Sequence, residues 1–446
     1  MEFDMGIYKD CDIRGIYGEE LTAKESREIG MAAGTLIEGR SVVVSGDIRN
    51  STPELKDALV QGLKETGARV FDVGMNPTPV FYYAKKILNA YAGVQVTASH
   101  NPPKYNGFKL AFGSMPVQSS DILKIESLVR NRAFEFRKGS VRTIDGIWDK
   151  YEKDVSLLSG YMRGKVVVDA GNGAVSELMP RIFRNKGMDV VPLFCEYDGR
   201  FPNRDPNPAV YSHLAALQEK VRESGADFGV AFDGDGDRVV FADDLGRIAM
   251  SERSFVVFIR EYLKDRPGKV VYDLKSSSIV KNAVKELGGE PLMERSGHAF
   301  IKRTLLEQGA VLGGEISGHF FFGELGYDDG MYAALKMAEI LTKKGKKFSE
   351  ILGEIPKSVI TPDIRISVPY EKQDGILEKL RSLKSRYALS EMDGVRLELP
   401  FGWMLVRKSV TEQAMTVRIE AEDQEGVDEI KEILTENAKE FEGNLD

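Results

Sequence analysis

The sequence predicts an α/β protein: three similar α/β domains with mixed, mostly parallel sheets, followed by a C-terminal α+β domain. Three observations carry this expectation. One is a strand–helix–strand unit that occurs three times. Another is the length of 446 residues, which suggests roughly three domains, with two or four also compatible. The last is a change of pattern near residue 360.

In the first unit, Ser41-Val42-Val43-Val44-Ser45-Gly46-Asp47 is a short apolar run with a polar end. The capping-box pattern Ser51-Thr52-Pro53-Glu54 starts a helix that runs to Lys64, Gly67 ends it, and Ala68 to Phe71 begins a new strand. The second unit is Lys165 to Asp169, a Gly171-Asn172-Gly173 turn, a helix to Lys186, then Gly187 and the strand from Met188 to Val191. The third is Lys269 to Asp273, Ser276-Ser277-Ser278 and a helix to Leu287 before Gly288. Continuous apolar strands between helices predict parallel sheets covered on both faces. In the tail, Ile364 to Val368 alternates as a half-exposed strand and Ile376 to Arg386 reads as a helix. Strands are predicted at Arg396–Glu398, Met404–Arg407 and Met415–Glu420, and a charged amphipathic helix over Val427–Phe441. The expected domains are 1–144, 145–245, 246–360 and 361–446.

Hydrophobic residues at 42% and charged residues at 29% exclude a disordered chain. The net charge of −8 argues against broad binding to nucleic acid or anionic lipid, while allowing a locally basic cleft. Two cysteines, Cys11 and Cys195, cannot build a disulfide framework or a four-ligand zinc site. No run of 18 apolar residues predicts a transmembrane helix, and Met1-Glu2-Phe3-Asp4 lacks a signal-peptide pattern, so a cytoplasmic location is expected.

The strongest chemical signal is Asp233-Gly234-Asp235-Gly236-Asp237-Arg238. In an extended loop, alternate carboxylates share a face, and glycine lets the backbone wrap closely around a small ion. Hard oxygen ligands suit Mg²⁺. An EF-hand fails, because Arg238 stands where its glycine would be and Asp244 where its glutamate would be. Three close carboxylates repel unless a cation compensates, which favours a metal site over a solvated acidic turn.

Thr97-Ala98-Ser99-His100-Asn101-Pro102 follows the apolar run Ala92 to Val96, placing Ser99 on a loop at a strand end. A hydrolase triad is disfavoured by the absence of a G-x-S-x-G elbow, and on local grounds an ordinary turn wins. In Gly313-Gly314-Glu315-Ile316-Ser317-Gly318-His319, an extended loop would line Glu315, Ser317 and His319 along one face, suited to sugar hydroxyls; a glycine-rich turn with a solvated Glu is an equal reading. Arg407, Ser409 and Thr411 also alternate, and a guanidinium with two hydroxyls can cradle phosphate, though by pattern alone a polar-edged strand is favoured. His298, in Arg295-Ser296-Gly297-His298, is one of four histidines, and a lone His is more often structural.

Together these segments resemble the α-D-phosphohexomutase family of phosphomannomutases, phosphoglucomutases and their amino-sugar relatives. Four motifs occur in the family's order and with family-like spacing across essentially the whole chain. Asp12-Ile13-Arg14-Gly15 resembles the family's N-terminal motif, and Asn106-Gly107-Phe108-Lys109 the strand after its serine loop. The resemblance implies four domains around a central cleft and Ser99 as phosphoryl carrier. It implies one Mg²⁺ held by Asp233, Asp235 and Asp237 with an oxygen of the Ser99 phosphate. Arg14, Lys109, Arg238 and His298 would surround the reacting phosphate or sugar. Glu315, Ser317 and His319 would select the sugar, and Arg407, Ser409 and Thr411 would hold the phosphate that does not react.

The implied reaction is reversible transfer between the 1- and 6-positions of a mannose or glucose phosphate, through a hexose 1,6-bisphosphate that also primes the enzyme. Lys109, His100 and His298 all remain candidates for the proton acceptor. Phosphoglucosamine mutase activity, a metal-dependent sugar phosphatase and a non-catalytic sugar-phosphate binder are the alternatives; the oligomeric state, monomer or dimer, is open. Cys11 departs from the Tyr usual in the family, and Val410 and Gln413 depart from the usual phosphate loop.

Overall fold

The computed structural model describes residues 6–409 and 413–445. Four sheets follow one another along the chain. The first has the strand order Asp12–Ile16, Tyr105–Phe112, Ala92–Val96, Ser41–Gly46, Arg69–Met75, Ser140–Thr143, with Met115–Pro116 paired to the long second strand. The second runs Ile248–Ala249, Val239–Ala242, Phe228–Phe232, Lys165–Asp169, Asp189–Leu193. The third runs Glu290–Glu294, Lys269–Asp273, Leu312–Gly314, Phe320–Phe322, Tyr327–Asp328.

The Val-rich strands predicted from sequence lie at the parallel centre of each sheet, buried on both faces. In each of these sheets a parallel strand then hairpins into an antiparallel neighbour. The three hairpins are Ala92–Val96 to Tyr105–Phe112, Phe228–Phe232 to Val239–Ala242, and Leu312–Gly314 to Phe320–Phe322. Each loop that the sequence singled out in these domains sits at the tip of one of these hairpins. Three topologically equivalent positions therefore present the serine, the carboxylates and the Glu315–His319 segment. Such ends of parallel strands are where α/β sheets place their ligands.

The first three domains share one apolar cluster that includes Val43 and Phe81, Val168 and Phe232, and Phe255, Phe320 and Met331. Burying each of these side chains contributes about 1.5–3 kcal/mol, so the three sheets are welded at fixed positions. The fourth domain is a purely antiparallel sheet of Val359–Ile360, Ala414–Ala421, Gly402–Lys408, Val395–Leu399 and Ala388–Ser390, with Ile364–Ser367 also paired to Ala414–Ala421. Helices Tyr370–Ser382 and Gln424–Asn437 pack on it over a separate core. It docks on the third domain through an apolar cluster of Leu274 and Met293 against Trp403 and Leu405, and through polar groups. Glu420 accepts hydrogen bonds from the Ser277 hydroxyl and the Ser278 amide, and Lys275 pairs with Asp363.

One local expectation is corrected. Ser51 precedes helix Thr52–Glu65 but makes no side-chain cap. Its hydroxyl instead accepts a 2.8 Å hydrogen bond from Asn106, and Thr52 Oγ1 donates to Asp47 at 2.7 Å. Both side chains are drawn into the polar network beneath the serine loop. Both cysteines are free thiols. Among the described residues, no helix is long and apolar enough to cross a membrane.

Candidate active site

The tips of the first and second hairpins meet. Ser99 Oγ donates a 2.7 Å hydrogen bond to Asp233 Oδ2, and both residues are fully buried. One carboxylate oxygen each from Asp233, Asp235 and Asp237 fall within 4.8 Å of one another. They converge by a route other than the extended loop expected. Asp233 Oδ1 accepts the amides of Gly236 (2.9 Å) and Arg238 (3.2 Å), so the segment is a turn wound around its first carboxylate. Gly236, at φ +80°, makes that winding possible. A Cβ on Gly234 would lie 2.6 Å from the Ser99 carbonyl oxygen, so glycine there lets the two loops pack backbone to backbone.

Lys109, on the strand after the serine loop, inserts its ammonium between Asp235 (2.8 Å) and Asp237. Burial alone would lower its pKa, but Asp235 and Asp237 raise it well above the ordinary lysine value. Burial, then Asp235 and Asp237, push Asp233 well above the carboxylate range. The outer oxygens of Asp235 and Asp237 are buried without a hydrogen-bond partner. Three carboxylates face a single ammonium, and two of them keep an orphaned oxygen, which leaves a donor set with room for a further cation. Hard, compact and all-oxygen, it fits a divalent ion such as Mg²⁺.

The serine loop is held by residues the sequence reading missed. Arg49 is buried, pairs with Asp47 at 3.1 Å, and donates to the carbonyls of Ser99 (2.9 Å), Asn101 (2.6 Å), Pro102 (2.9 Å) and Tyr105 (3.0 Å). Thr97 Oγ1 accepts the Ser99 amide at 2.8 Å and donates to Asp47 at 2.7 Å. Thr78 Oγ1 donates to Asp235 at 2.7 Å. Ser99 itself has φ +49°, a conformation costing of order 1–3 kcal/mol that the Arg49 clamp holds in place. The local signal was an Asp-x-Arg at the end of the first apolar strand, which alone looks like a surface turn.

The remaining predicted residues distribute as follows. His100 Nδ1 is 3.4 Å from Ser99 Oγ, and burial plus Arg238, Arg14 and Lys109 hold its pKa well below the usual imidazole value. Arg14 pairs with Asp12 (2.7 Å) and donates to Asn101 of the serine loop. Arg238 Nε donates to His319 Nε2 at 3.0 Å, so the His319 Nδ1–H donates to Asp328 Oδ2 at 2.8 Å. His298 stacks on His319 with ring centres 5.7 Å apart, and burial pushes its pKa down to about 4.

The Glu315–His319 segment is a tight turn rather than an extended loop: the Glu315 amide bonds the His319 carbonyl and the Gly318 amide bonds the Glu315 carbonyl. His319 thus turns inward to Arg238 and Asp328, while Ser317 Oγ is buried without a partner. Burial and the nearby Glu315 charge raise Asp273 to about 6. In the fourth domain Arg407 pairs with Asp393 at 2.5 Å, away from the Ser99 contacts, and its Nε is unpartnered. Ser409 is tied by its amide to the Ala414 carbonyl at 2.9 Å; Thr411, with Val410, lies outside the described residues.

A serine hydrogen-bonded to a carboxylate trio, with Lys109, Arg238 and Arg14 close by, suits phosphoryl-transfer chemistry by its donor set. Comparison with known proteins agrees. Residues 6–136 match alpha/beta/alpha domain I of phosphoglucomutase/phosphomannomutase, 149–246 match domain II and 251–359 match domain III. The chain is 37% identical to the phosphomannomutase/phosphoglucomutase of Pseudomonas aeruginosa over 451 residues, covering 98% of this chain and 96% of that one. It is 38% identical to a probable phosphoglucosamine mutase of Methanothermobacter thermautotrophicus, covering 94% of each. The crystal structure of a phosphoglucomutase/phosphomannomutase family protein from Burkholderia thailandensis superposes with a TM-score of 0.92 at 34% identity, covering 99% of both chains. The chain belongs to the phosphoglucomutase/phosphomannomutase family.

Proposed function

We propose that the enzyme moves a phosphoryl group reversibly between the 1- and 6-positions of a mannose or glucose phosphate, with Ser99 as the carrier and a hexose 1,6-bisphosphate as intermediate and primer. The observation that carries this reading is the 2.7 Å contact of Ser99 Oγ with Asp233 inside the buried trio. A serine phosphate is inert in water, so its transfer requires a local field of this kind. Asp233, Asp235 and Asp237 would hold Mg²⁺, whose charge lowers the cost of moving the phosphoryl group.

This chain's own residues do the rest. Arg49 and Thr97 fix the serine loop so that its oxygen meets the incoming sugar hydroxyl in line. Arg238, Lys109 and Arg14 neutralise the phosphoryl oxygens. His100 and His298, neutral at physiological pH, can take the hydroxyl proton, whereas Lys109 is kept protonated by Asp235 and Asp237. Glu315 and Ser317 orient the sugar, His319 holds Arg238 in place from Asp328, and Arg407, Ser409 and Thr411 hold the distal phosphate. The shared cleft accepts the intermediate in either orientation, with domain boundaries near 144, 245 and 360. The cytoplasm is the proposed location.

Conversion of mannose, glucose and glucosamine 1-phosphates to their 6-phosphates, with a trace of bisphosphate and Mg²⁺, tests the reading. Isomer formation on mannose or glucose supports it. Release of inorganic phosphate without isomer would make the protein a phosphatase. Turnover of glucosamine phosphate alone would favour the second reading, phosphoglucosamine mutase, which the 38% identity to the Methanothermobacter protein keeps in view.

A further inference from the structure

Residues 199–204 of the second domain reach both reacting loops and have no part in the chemistry proposed above. The segment follows strand Asp189–Leu193 and meets the first domain beside Arg49. A Cβ on Gly199 would lie 2.7 Å from both the Ile48 carbonyl oxygen and the Asn50 amide nitrogen, so glycine there lets the two backbones pack directly. Phe201 is buried between the loops. Its ring centre lies 5.0 Å from the Arg49 guanidinium carbon, and its Cζ would stand 3.3 Å from a Cβ on Gly234. Arg49 holds the Ser99 loop and Gly234 belongs to the carboxylate loop, so one ring spaces the two. Phe201 has φ +49°, the same value as Ser99, a conformation that a non-glycine residue keeps only where its surroundings impose it.

Arg204 ends the segment. It is buried, pairs with Asp169 at 2.8 Å and donates to the Phe232 carbonyl at 2.7 Å, immediately before Asp233. The Ala174 amide donates to the Gly234 carbonyl at 2.9 Å, and the Thr78 amide to the Asp235 carbonyl at 2.8 Å. Three carbonyls of the loop are thus engaged from outside, which leaves its carboxylates free to face an ion. The Arg204–Asp169 pair repeats the Arg49–Asp47 pair. In each, an Asp at or just past the end of a central parallel strand orients a buried guanidinium onto loop carbonyls. Asp273 takes the same place in the third domain, but its Oδ2 is buried without a partner, and among the described residues it makes no ion pair. The device serves the two loops that meet and not the third.

We propose that segment 199–204 is a strap that sets the spacing of the serine and carboxylate loops, with Phe201 as its spacer and Arg204 as a positioning residue for the carboxylate turn. The inference rests on the reading of Ser99 and the trio as the reacting groups. Arg204 touches neither. It acts through the Phe232 backbone, fixing where the turn around Asp233 begins.

The test is Mn²⁺ binding to the intact enzyme, read from the electron paramagnetic resonance of the free ion, beside mutase kinetics. Arg204→Lys keeps the charge next to Asp169 and loses the second arm of the guanidinium. Its Mn²⁺ affinity should fall by about 10–100-fold, as when the group behind a metal ligand is lost, with kcat restored at saturating Mn²⁺. Phe201→Leu should bind Mn²⁺ as the unaltered enzyme does, with kcat about tenfold lower at an unchanged Michaelis constant. Unchanged Mn²⁺ affinity in Arg204→Lys, or an unchanged kcat in Phe201→Leu, overturns the inference. Should Arg204→Lys fail to fold, the double variant Asp169→Asn, Arg204→Leu leaves no unpaired buried charge and carries the same expectation for Mn²⁺. Failure of the underlying reading looks different. An unaltered protein without mutase turnover refutes that reading, while the dependence of Mn²⁺ affinity on Arg204 still decides for or against the strap.

Discussion

Ser99 and Asp233 stand 134 residues apart in the chain and 2.7 Å apart in space, joined by a hydrogen bond from hydroxyl to carboxylate. The contact exists because two hairpins of different domains, each the continuation of a parallel strand, point their tips at one another. Everything proposed about catalysis depends on that meeting.

Replacing Ser99 by alanine removes the hydroxyl proposed to carry the phosphoryl group. Mutase turnover is expected to fall to background while hexose phosphate still binds. Chelation with EDTA is expected to abolish activity, with Mg²⁺ restoring it. A steady-state assay before and after metal removal checks both; wild-type rates in either case would remove the residue or the ion from the mechanism.

Arg49→Lys keeps the charge beside Asp47 but loses the planar fork that reaches four carbonyls. The serine loop loosens, and kcat should fall about a hundredfold with the Michaelis constant unchanged. Arg49→Ala goes further, leaving Asp47 buried and unpaired, and should cost about 3–5 kcal/mol in denaturant unfolding. Equal losses in kcat and stability for both variants would reduce Arg49 to a general structural role.

Gly234→Ala would place a methyl group 2.6 Å from the Ser99 carbonyl. The serine and carboxylate loops must then separate. Activity should drop with little change in the far-ultraviolet circular dichroism, because the sheets beneath the loops are untouched. Full activity would show that the loops tolerate wider spacing.

The chain has four histidines, so their titrations can be followed one by one by NMR. His298 should titrate near 4 and His100 well below an ordinary imidazole. Their folded pKa values lie below that of the unfolded chain, about 6.5, so the unfolded state takes up protons that the folded state refuses. Their contribution to stability is whole above pH 6.5 and shrinks as pH falls toward 4. His298→Asn should lessen that acid-side loss; a His298 titration near 6.5 would contradict the buried, neutral imidazole.

Which parts of the site could be read from sequence follows from range. The carboxylate loop is local: five consecutive positions carry all three carboxylates, and the local pattern alone exposes them. Ser99 was ambiguous alone because its partner is distant, and only its company with other motifs raised it above a turn. Arg49 was invisible because its work is to bind backbone carbonyls, which leave no side-chain signature. The idea of extended loops with alternating faces failed at both Asp233 and Glu315, since the Asp233 carboxylate winds one into a turn by accepting the Gly236 and Arg238 amides and backbone bonds wind the other. The three carboxylates still converge at Asp233 because a tight turn also gathers them. At His319 the turn directs the ring to Arg238 and Asp328 instead. The α/β repeats were legible from Val-rich runs before helices, whereas the antiparallel pairing of the strands flanking each loop was not, since short, fully buried strands carry no sign of their direction.

The central claim is that the carboxylate trio readies a phosphate on Ser99 for transfer to a sugar. Enzyme labelled with radioactive phosphate on Ser99, mixed in a single turnover with glucose 1-phosphate, measures this directly. The account predicts rapid passage of label into hexose bisphosphate and then hexose 6-phosphate when Mg²⁺ is present, and retention of label on the protein when it is absent. Label that appears as inorganic phosphate, or that reaches sugar at the same rate without the ion, would contradict it.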